Sequence, residues 1–142
     1  MRFMMLMIPR GYEKASPDAV PDAKIVEAMS KYNETLRKAG VLLALDGLHP
    51  PSKAVRVTFP GGRPKVTDGP FTDAKEAVGG YWMIDVKSKD EAIEWAKRIP
   101  GGDDAVVEVR QVFEMEDFPP EVRKAAGNEA ALRAELGRRP NS

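Results

Sequence analysis

The sequence of 142 residues has no cysteine and a single histidine, His49. The absence of cysteine excludes disulfide bonds, thiol catalysis and cysteine-based zinc sites. With one histidine, any metal site would depend on carboxylates, and we expect neither a metal nor a cofactor. Lysine plus arginine and aspartate plus glutamate each number 22. The chain therefore lacks the basic excess that is typical of general nucleic-acid binders and of proteins that bind anionic membranes.

Long hydrophobic runs are also missing, since no apolar stretch approaches the ~20 residues that a membrane-spanning helix needs. The apolar start, residues 1–8, is short and has no small-residue cleavage site after it. We interpret it as a strand rather than a signal peptide, and we expect a cytoplasmic protein. Apolar residues make up 42% of the chain and charged residues 31%, a balance that favours one folded domain with a buried core.

Hydrophobic periodicity predicts strands and helices in a recognisable order. Strands are expected at residues 2–8, 41–45, 54–59, 65–67, 78–86 and 105–113, and helices at residues 22–39 and 89–99. This order is typical of an α+β, ferredoxin-like split β-α-β fold, in which two helices cover one face of an antiparallel sheet. We assign residues 1–115 to this domain and residues 116–142 to a C-terminal tail that is partly helical or frayed.

Two of the predicted strands are apolar on both faces. The first strand alternates Phe3, Met5 and Met7 with Met4, Leu6 and Ile8, and the fifth places Tyr81 and Met83 opposite Trp82, Ile84 and Val86. Because two helices can cover only one face of the sheet, the other face needs a cover of its own. We expect a homodimer that buries this face. The C-terminal tail, folded over the same face, is the intramolecular alternative.

The stretch Asp68-Gly69-Pro70-Phe71 follows an apolar run with a turn that neither a strand nor a helix can continue. Gly69 is free to take a positive φ, and Pro70 has a fixed φ and no N–H group. The turn holds the carboxylate of Asp68 on one side and the ring of Phe71 on the other. We expect Asp68, Phe71 and Tyr81 to line one cavity.

Asp68 is the first candidate for acid–base catalysis, because desolvation in a cleft would raise the pKa of its carboxyl group. An Asx-type turn, in which the carboxylate only accepts backbone N–H bonds, is the alternative interpretation. His49 is the second catalytic candidate, as a proton-transfer partner of Asp68, since histidine ordinarily titrates near neutral pH. A histidine that only packs in its loop is the simpler alternative.

Five further residues are candidate ligand contacts: Phe71, Tyr81, Lys75, Glu76 and Arg110. Lys75 and Glu76 could bind a substrate carboxylate and orient Asp68, or could form a solvated ion pair. Arg110 could bind an anion, or could only keep an exposed strand soluble. The glycine pairs lack the pattern of a phosphate-binding loop, so nucleotide binding is not indicated.

The chain resembles the YCII-related family, in its DGPF-type branch. The resemblance covers residues 1–115 and depends on the methionine-rich first strand, Gly47-Leu48, Asp68-Gly69-Pro70-Phe71 with Lys75-Glu76, Gly79-Gly80-Tyr81-Trp82, the helix at residues 91–96 and Glu108-Val109-Arg110. It implies a ferredoxin-like homodimer of the dimeric α/β-barrel type, similar to muconolactone-isomerase-like dimers, with a pocket near the subunit interface. For this largely uncharacterised family it also implies an enzymatic role through a His/Asp pair. For some members it implies an association with extracytoplasmic-function sigma factors.

Two functions follow as hypotheses. The first is a dimer that binds a small organic ligand, with lyase, isomerase or hydrolase chemistry from Asp68 and His49 on a small acidic metabolite. The second is a non-catalytic sensor or partner-binding module linked to transcriptional regulation. Convergence of Asp68 and His49 on one enclosed cavity would favour the enzyme, and their separation would favour the binding module.

Overall fold

A computed structural model describes residues 1–137 of the chain. The chain forms two compact units, the first ending at Gln111 and the second beginning at Val112. The strands are β1 (Arg2–Pro9), β2 (Leu42–Gly47), β3 (Val55–Thr58), β4 (Lys65–Asp68), β5 (Gly80–Asp85) and β6 (Ala105–Gln111). The α-helices are α1 (Ala23–Lys38), α2 (Lys89–Lys97), α3 (Pro120–Ala125) and α4 (Glu129–Leu136).

The main sheet of the first unit has the strand order β2-β5-β1-β6, and every neighbouring pair in it is antiparallel. The two strands that flank α1, β1 and β2, are thus separated by β5, which is the split arrangement that the periodicity predicts. The predicted α+β, ferredoxin-like fold is confirmed. The predicted hairpin is also present: β3 and β4 pair with each other in a separate two-stranded sheet.

The hydrophobic core lies between the main sheet and the helices α1 and α2. It is built from Phe3, Met5 and Met7 of β1, Trp82 and Ile84 of β5, Tyr32 and Leu36 of α1, Ala92 and Trp95 of α2, and Val41, Val86 and Ile99 beside these elements. Burial of each large apolar side chain stabilises the fold by about 1.5–3 kcal/mol. The alternation along β1 therefore fixes which face of the sheet the helices cover.

Side-chain caps explain where the two core helices begin. The Oδ1 atom of Asp22 accepts a hydrogen bond from the backbone N–H of Lys24 at 2.7 Å, which starts α1. The Oγ atom of Ser88 accepts from the N–H of Glu91 at 3.1 Å, the bond that the capping-box pattern Ser88-Lys89-Asp90-Glu91 predicts for the start of α2. The carboxylate of Glu91 reaches back to the N–H of Lys87 at 3.0 Å, one residue earlier than a regular capping box would place it.

The apolar stripe of α1 is buried only in its C-terminal half. Tyr32 and Leu36 are buried, Met29 is half-buried, and Ile25 remains 51% exposed. Helical spacing alone would place all four side chains on the same face. The N-terminal half of α1 therefore borders open space, and it lines two grooves beside the sheet.

The helix-free face of the main sheet is apolar at its centre. Met4 and Leu6 of β1 are half-buried there, opposite Met83 and Tyr81 of β5. The alternation along both strands places these four side chains away from the helices. The predicted second apolar face is therefore present, and in the single chain it is partly open to water.

The second unit contains α3 and α4. The short helix that the sequence indicates around Leu132 and Leu136 corresponds to α4, whereas α3 follows Pro119 and was not predicted. Proline is well suited to the first turn of a helix, because the N–H that it lacks has no partner there. The last residues, 138–142, which we predict to be frayed, lie outside the described part of the chain. Within residues 1–137, the helices are too short or too polar to cross a membrane.

Candidate functional site

The turn at residues 68–71 is packed against the segment that follows His49. The backbone N–H of Gly69 donates a hydrogen bond to the carbonyl oxygen of Ala54 at 2.7 Å. A Cβ atom added to Gly69 would overlap the carbonyl oxygen of Pro51. Gly69 does not adopt the positive φ that glycine can take in a turn. The Gly69–Pro70 peptide bond is cis. Glycine is required here by the close approach of two backbone segments.

Hydrogen bonds fix the segment around His49 to the sheet and to the loop after β1. The N–H of Leu48 donates to the carbonyl oxygen of Gly79 at 2.9 Å, and the N–H of Gly79 donates to that of Met7 at 2.8 Å. The hydroxyl of Tyr12 donates to the carbonyl oxygen of Leu48. Since both sides of Leu48 are bonded, the backbone next to His49 has a defined position.

His49 lies on the wall of an apolar groove of about 590 Å³, which we call the His49 groove. Its lining consists of Pro9, Tyr12, Ala15, Ala19, Val20, Pro21, Asp22, Ile25, Gly47, Leu48 and His49. Apart from the capping residue Asp22, the side chains with polar groups in this lining are Tyr12 and His49. Burial raises the pKa of the Tyr12 phenol.

A smaller hollow of about 180 Å³ lies beside the His49 groove and shares Gly47 with it. Asp46 and Tyr81 are among its lining residues, and the Tyr81 hydroxyl donates a hydrogen bond to Oδ2 of Asp46 at 2.9 Å. This hydrogen bond, together with the negative charge of Asp46, raises the pKa of Tyr81. In the same hollow, Nε1 of Trp82 donates to Oδ1 of Asn33 at 2.7 Å.

The two catalytic candidates belong to adjoining segments but do not contact each other. Asp68 is exposed at the end of β4, and His49 is exposed on the groove wall. The two segments meet at Gly69. This residue follows Asp68 and packs against Pro51 and Ala54, which come shortly after His49. Within residues 1–137, no hydrogen bond or ion pair joins the side chains of Asp68 and His49.

The other candidate residues are distributed over different surfaces. Tyr81 faces Asp46, whereas Phe71 is half-buried beneath Arg56, whose guanidinium carbon lies 3.8 Å from the ring centroid. An Nη1 atom of the same Arg56 lies 3.7 Å from Oδ1 of Asp73. A common cavity for Asp68, Phe71 and Tyr81 thus stays a prediction.

Lys75, Glu76 and Arg110 are all exposed. Lys75 and Glu76 lie in the loop between β4 and β5. Arg110 lies on β6, where its Nε atom is 3.9 Å from Oε2 of Glu108, a distance typical of a weak surface ion pair. Their positions leave the predicted ligand contacts of these residues untested.

Sequence reasoning missed Tyr12, Ile25 and Asp46 as groove or hollow residues. Tyr12 begins a single 3-10 turn, Tyr12–Lys14, which is too short for a periodic pattern to mark a side chain as inward. Asp46 ends an edge strand next to Gly47, and a carboxylate at a strand end was a signal that could have been used. Among residues 1–137, histidine and carboxylate side chains do not gather in groups of three or more that could hold a metal ion.

Comparisons with known proteins show what the chain is similar to. The family model of the YCII-related domain matches residues 1–116 of the chain. An uncharacterized protein of Rhizobium meliloti (strain 1021) is 32% identical over 76 residues, which cover 54% of this chain and 61% of that protein. The match therefore spans less than two thirds of the relative's length.

Proposed function

The chain belongs to the YCII-related family, and we propose that it binds a small organic ligand in the His49 groove. The groove itself is the observation that supports this function. Its volume of about 590 Å³ falls within the range of roughly 300–1,000 Å³ that is common for ligand sites. Mostly apolar walls with a few polar groups are also typical of such sites.

The lining indicates the kind of ligand. Proline, alanine, valine, isoleucine and leucine side chains offer an apolar surface, whereas the imidazole of His49 and the phenol of Tyr12 offer hydrogen bonds. We therefore propose a ligand with an apolar body and one polar or acidic group. In this proposal His49 contacts the polar group of the ligand and is the candidate for proton transfer. Asp68 does not line the groove, and by the criterion given above this separation favours binding over catalysis by the pair. Lyase, isomerase or hydrolase chemistry would use such groups.

A screen of small organic acids, monitored through backbone amide NMR shifts of the labelled protein, tests the ligand site. We expect the shifts to concentrate at Tyr12, Ile25, Leu48 and His49. Ile25→Trp should fill the groove and weaken binding by about tenfold or more, whereas Leu132→Trp, at an exposed leucine in α4, should leave the affinity unchanged. Shifts that concentrate elsewhere, or an Ile25→Trp variant that binds normally, would contradict the proposed site.

The role of His49 as an acid–base group is tested separately with His49→Gln. If it transfers a proton, the variant should lose the pH dependence of activity between about pH 5 and 8. If the variant keeps both activity and ligand affinity across that interval, His49 has no part in the mechanism. The chain would then fit the alternative of a non-catalytic sensor or partner-binding module.

We also propose that the chain is a homodimer whose subunits cover each other's helix-free sheet face. Met4, Leu6, Tyr81 and Met83 form the apolar centre of that face. Each side chain of this size gains about 1.5–3 kcal/mol when it is fully buried. A two-fold pairing covers both faces and closes the assembly.

Sedimentation equilibrium at micromolar concentration measures the assembly directly. We expect a species of twice the 15.6 kDa chain mass. Met83→Glu should shift it to the monomer, because it places a charge at the centre of the apolar face. Val122→Glu, at an exposed valine of α3, is the control and should remain dimeric. A 15.6 kDa species for the unaltered chain would refute the dimer.

A further inference from the structure

We infer that the ligand of the His49 groove is a long-chain carboxylic acid whose alkyl tail continues past Ile25 into a second groove. This second groove, which we call the Ala28 groove, has a volume of about 550 Å³. It is bordered by Met7 of β1, by residues of α1 that include Ile25 and Ala28, and by the loop at residues 100–102. The inference rests on the proposed ligand site and adds to it a tail subsite and a class of ligand.

The two grooves have three wall residues in common. Pro9, Pro21 and Ile25 line both the His49 groove and the Ala28 groove. The two spaces therefore adjoin at these residues, and a ligand that fills one of them reaches the edge of the other. Each groove alone falls within the range of roughly 300–1,000 Å³ that is common for ligand sites, and the two together exceed it. A ligand that occupies both is longer than most small metabolites.

The side chains around this junction are apolar and wet. Val20 of the His49 groove is 84% exposed, Val26 of the Ala28 groove is 44% exposed, and Ile25, which lines both, is 51% exposed. Neighbouring apolar side chains that stay open to water mark a surface with a binding role. Because these side chains line concave grooves, the surface suits a narrow apolar chain that lies along them.

The lining of the Ala28 groove suits an alkyl tail better than a second polar group. Its lining residues with polar side chains are Lys24, Ser30 and Asn33. Lys24 and Ser30 are exposed, and Oδ1 of Asn33 already accepts a hydrogen bond from Nε1 of Trp82 at 2.7 Å. The remaining lining is methionine, proline, isoleucine, valine, alanine and glycine. Methionine is flexible at its thioether and adapts to chains of different shape.

The His49 groove sets the direction of the ligand. The imidazole of His49 donates a hydrogen bond to a carboxylate in either of its protonation states. Lys24 is the cation of the Ala28 groove, and a lysine at an apolar surface commonly lays its methylene groups along it while the ammonium stays in water. The carboxylate therefore lies at His49, and the methyl end of the tail lies towards Ala28 and Gly101.

A chain-length series of fatty acids tests the tail subsite. Binding of octanoate, decanoate, dodecanoate and tetradecanoate to the unaltered chain is measured by calorimetry below the concentrations at which these acids form micelles. The dissociation constant should fall by roughly two- to fourfold for each methylene group that enters the Ala28 groove. An affinity that is the same for all four acids would overturn the subsite. It would leave the His49 groove as a site for short acids.

Ala28→Trp separates a tail in the Ala28 groove from general adsorption to apolar surface. Ala28 is half-buried in α1, and the larger side chain should fill the groove. We expect dodecanoate to bind about tenfold or more weakly, while octanoate keeps its affinity and so shows that the variant is folded. Ala23→Trp is the matched control, because Ala23 is exposed in the first turn of α1 and belongs to neither lining. Normal binding of dodecanoate to Ala28→Trp would overturn the subsite.

Nitroxide-labelled fatty acids test the direction of the tail without any substitution. A label near the methyl end should broaden the backbone amide NMR signals of Ala28 and Gly101, and a label near the carboxylate should broaden those of Tyr12 and Leu48. The reverse pattern, with the carboxylate beside Lys24, or one pattern for both labels, would overturn the placement of the tail. If no acid of the series binds, the tail subsite fails, and the screen of small organic acids decides the His49 groove by itself.

Discussion

At the scale of single residues, Gly69 shows how a short sequence motif can have a steric cause. Its backbone lies so close to Pro51 that a side chain would have no room. The freedom of glycine to adopt a positive φ, which is the usual reason for glycine in a turn, is not used there. Glycine is therefore needed in this motif because two segments that are distant in sequence pack closely there.

Gly69→Ala should destabilise the chain by about 1–3 kcal/mol or more, because the added methyl group overlaps a backbone carbonyl that cannot move aside easily. Urea unfolding followed by tryptophan fluorescence measures the change. Gly47→Ala is the control, since a Cβ there would meet only the carbonyl oxygen of Gly79 at 3.9 Å, an ordinary contact. If the two variants are equally stable, the segments around Gly69 and Pro51 can move apart without a loss of free energy of unfolding.

The buried hydroxyl of Tyr32 makes the stability of the fold depend on pH in the alkaline range. Its hydroxyl donates to the carbonyl oxygen of Trp95 at 2.7 Å. Burial raises the pKa of Tyr32 to about 12, against a smaller opposite effect of the nearby Arg98 charge. Because the pKa is about 10 in the unfolded chain, the stabilisation is complete below pH ~10. It is lost as the pH rises through about 12.

Tyr32→Phe should cost about 0.5–1.5 kcal/mol at pH 7 through loss of the hydrogen bond. The variant should also lose less stability than the unaltered chain between pH ~10 and ~12. Urea unfolding of both proteins over this pH interval measures their free energies of unfolding. The other tyrosines contribute equally to the two proteins, so the difference between the pH profiles reports Tyr32. Parallel pH profiles would mean that Tyr32 ionises equally in the folded and unfolded chains.

At the scale of secondary-structure elements, local signals fix where the helices start, and packing decides how much of each helix is buried. Both core helices begin at a residue whose side chain caps the first turn, Asp22 for α1 and Ser88 for α2. The apolar stripe of α1, however, leaves the core at Ile25. The exposed N-terminal end of α1 borders open space, and its residue Ile25 lines part of the His49 groove.

Ser88→Ala should destabilise the chain by about 1 kcal/mol, because the N–H of Glu91 loses its acceptor at the start of α2. Ser30→Ala is the matched control: Ser30 is exposed within α1, where alanine is the better helix former. Thermal or urea unfolding of the two variants provides the comparison. A loss as large for Ser30→Ala as for Ser88→Ala would argue against the cap.

At the scale of the whole molecule, the hydrophobic core of residues 1–137 lies in the first unit. The buried core residues lie between Phe3 and Ile99, and the half-buried residues that pack on them extend to Val109. The family match ends at residue 116. The core contacts that stabilise the first unit therefore lie within residues 1–116.

A fragment of residues 1–116 should accordingly fold and unfold cooperatively. We expect the midpoint of its urea transition to lie close to that of the full chain, since residues 117–137 contribute none of the core side chains. Circular dichroism and tryptophan fluorescence should give coincident transitions. Non-coincident or broad transitions would show that the second unit is needed for the fold.

The sequence by itself determined the elements of the first unit, their order, the cap of α2 and the second apolar face of the sheet. These properties follow from alternation, helical spacing and capping chemistry, which act between residues that are close along the chain. Only the tertiary structure decided that Gly69 meets Pro51, that Tyr12 and Ile25 share a groove with His49, and that Tyr81 bonds to Asp46. Such contacts join residues that are far apart in sequence, and their geometry depends on how the packed elements diverge, which no local pattern encodes.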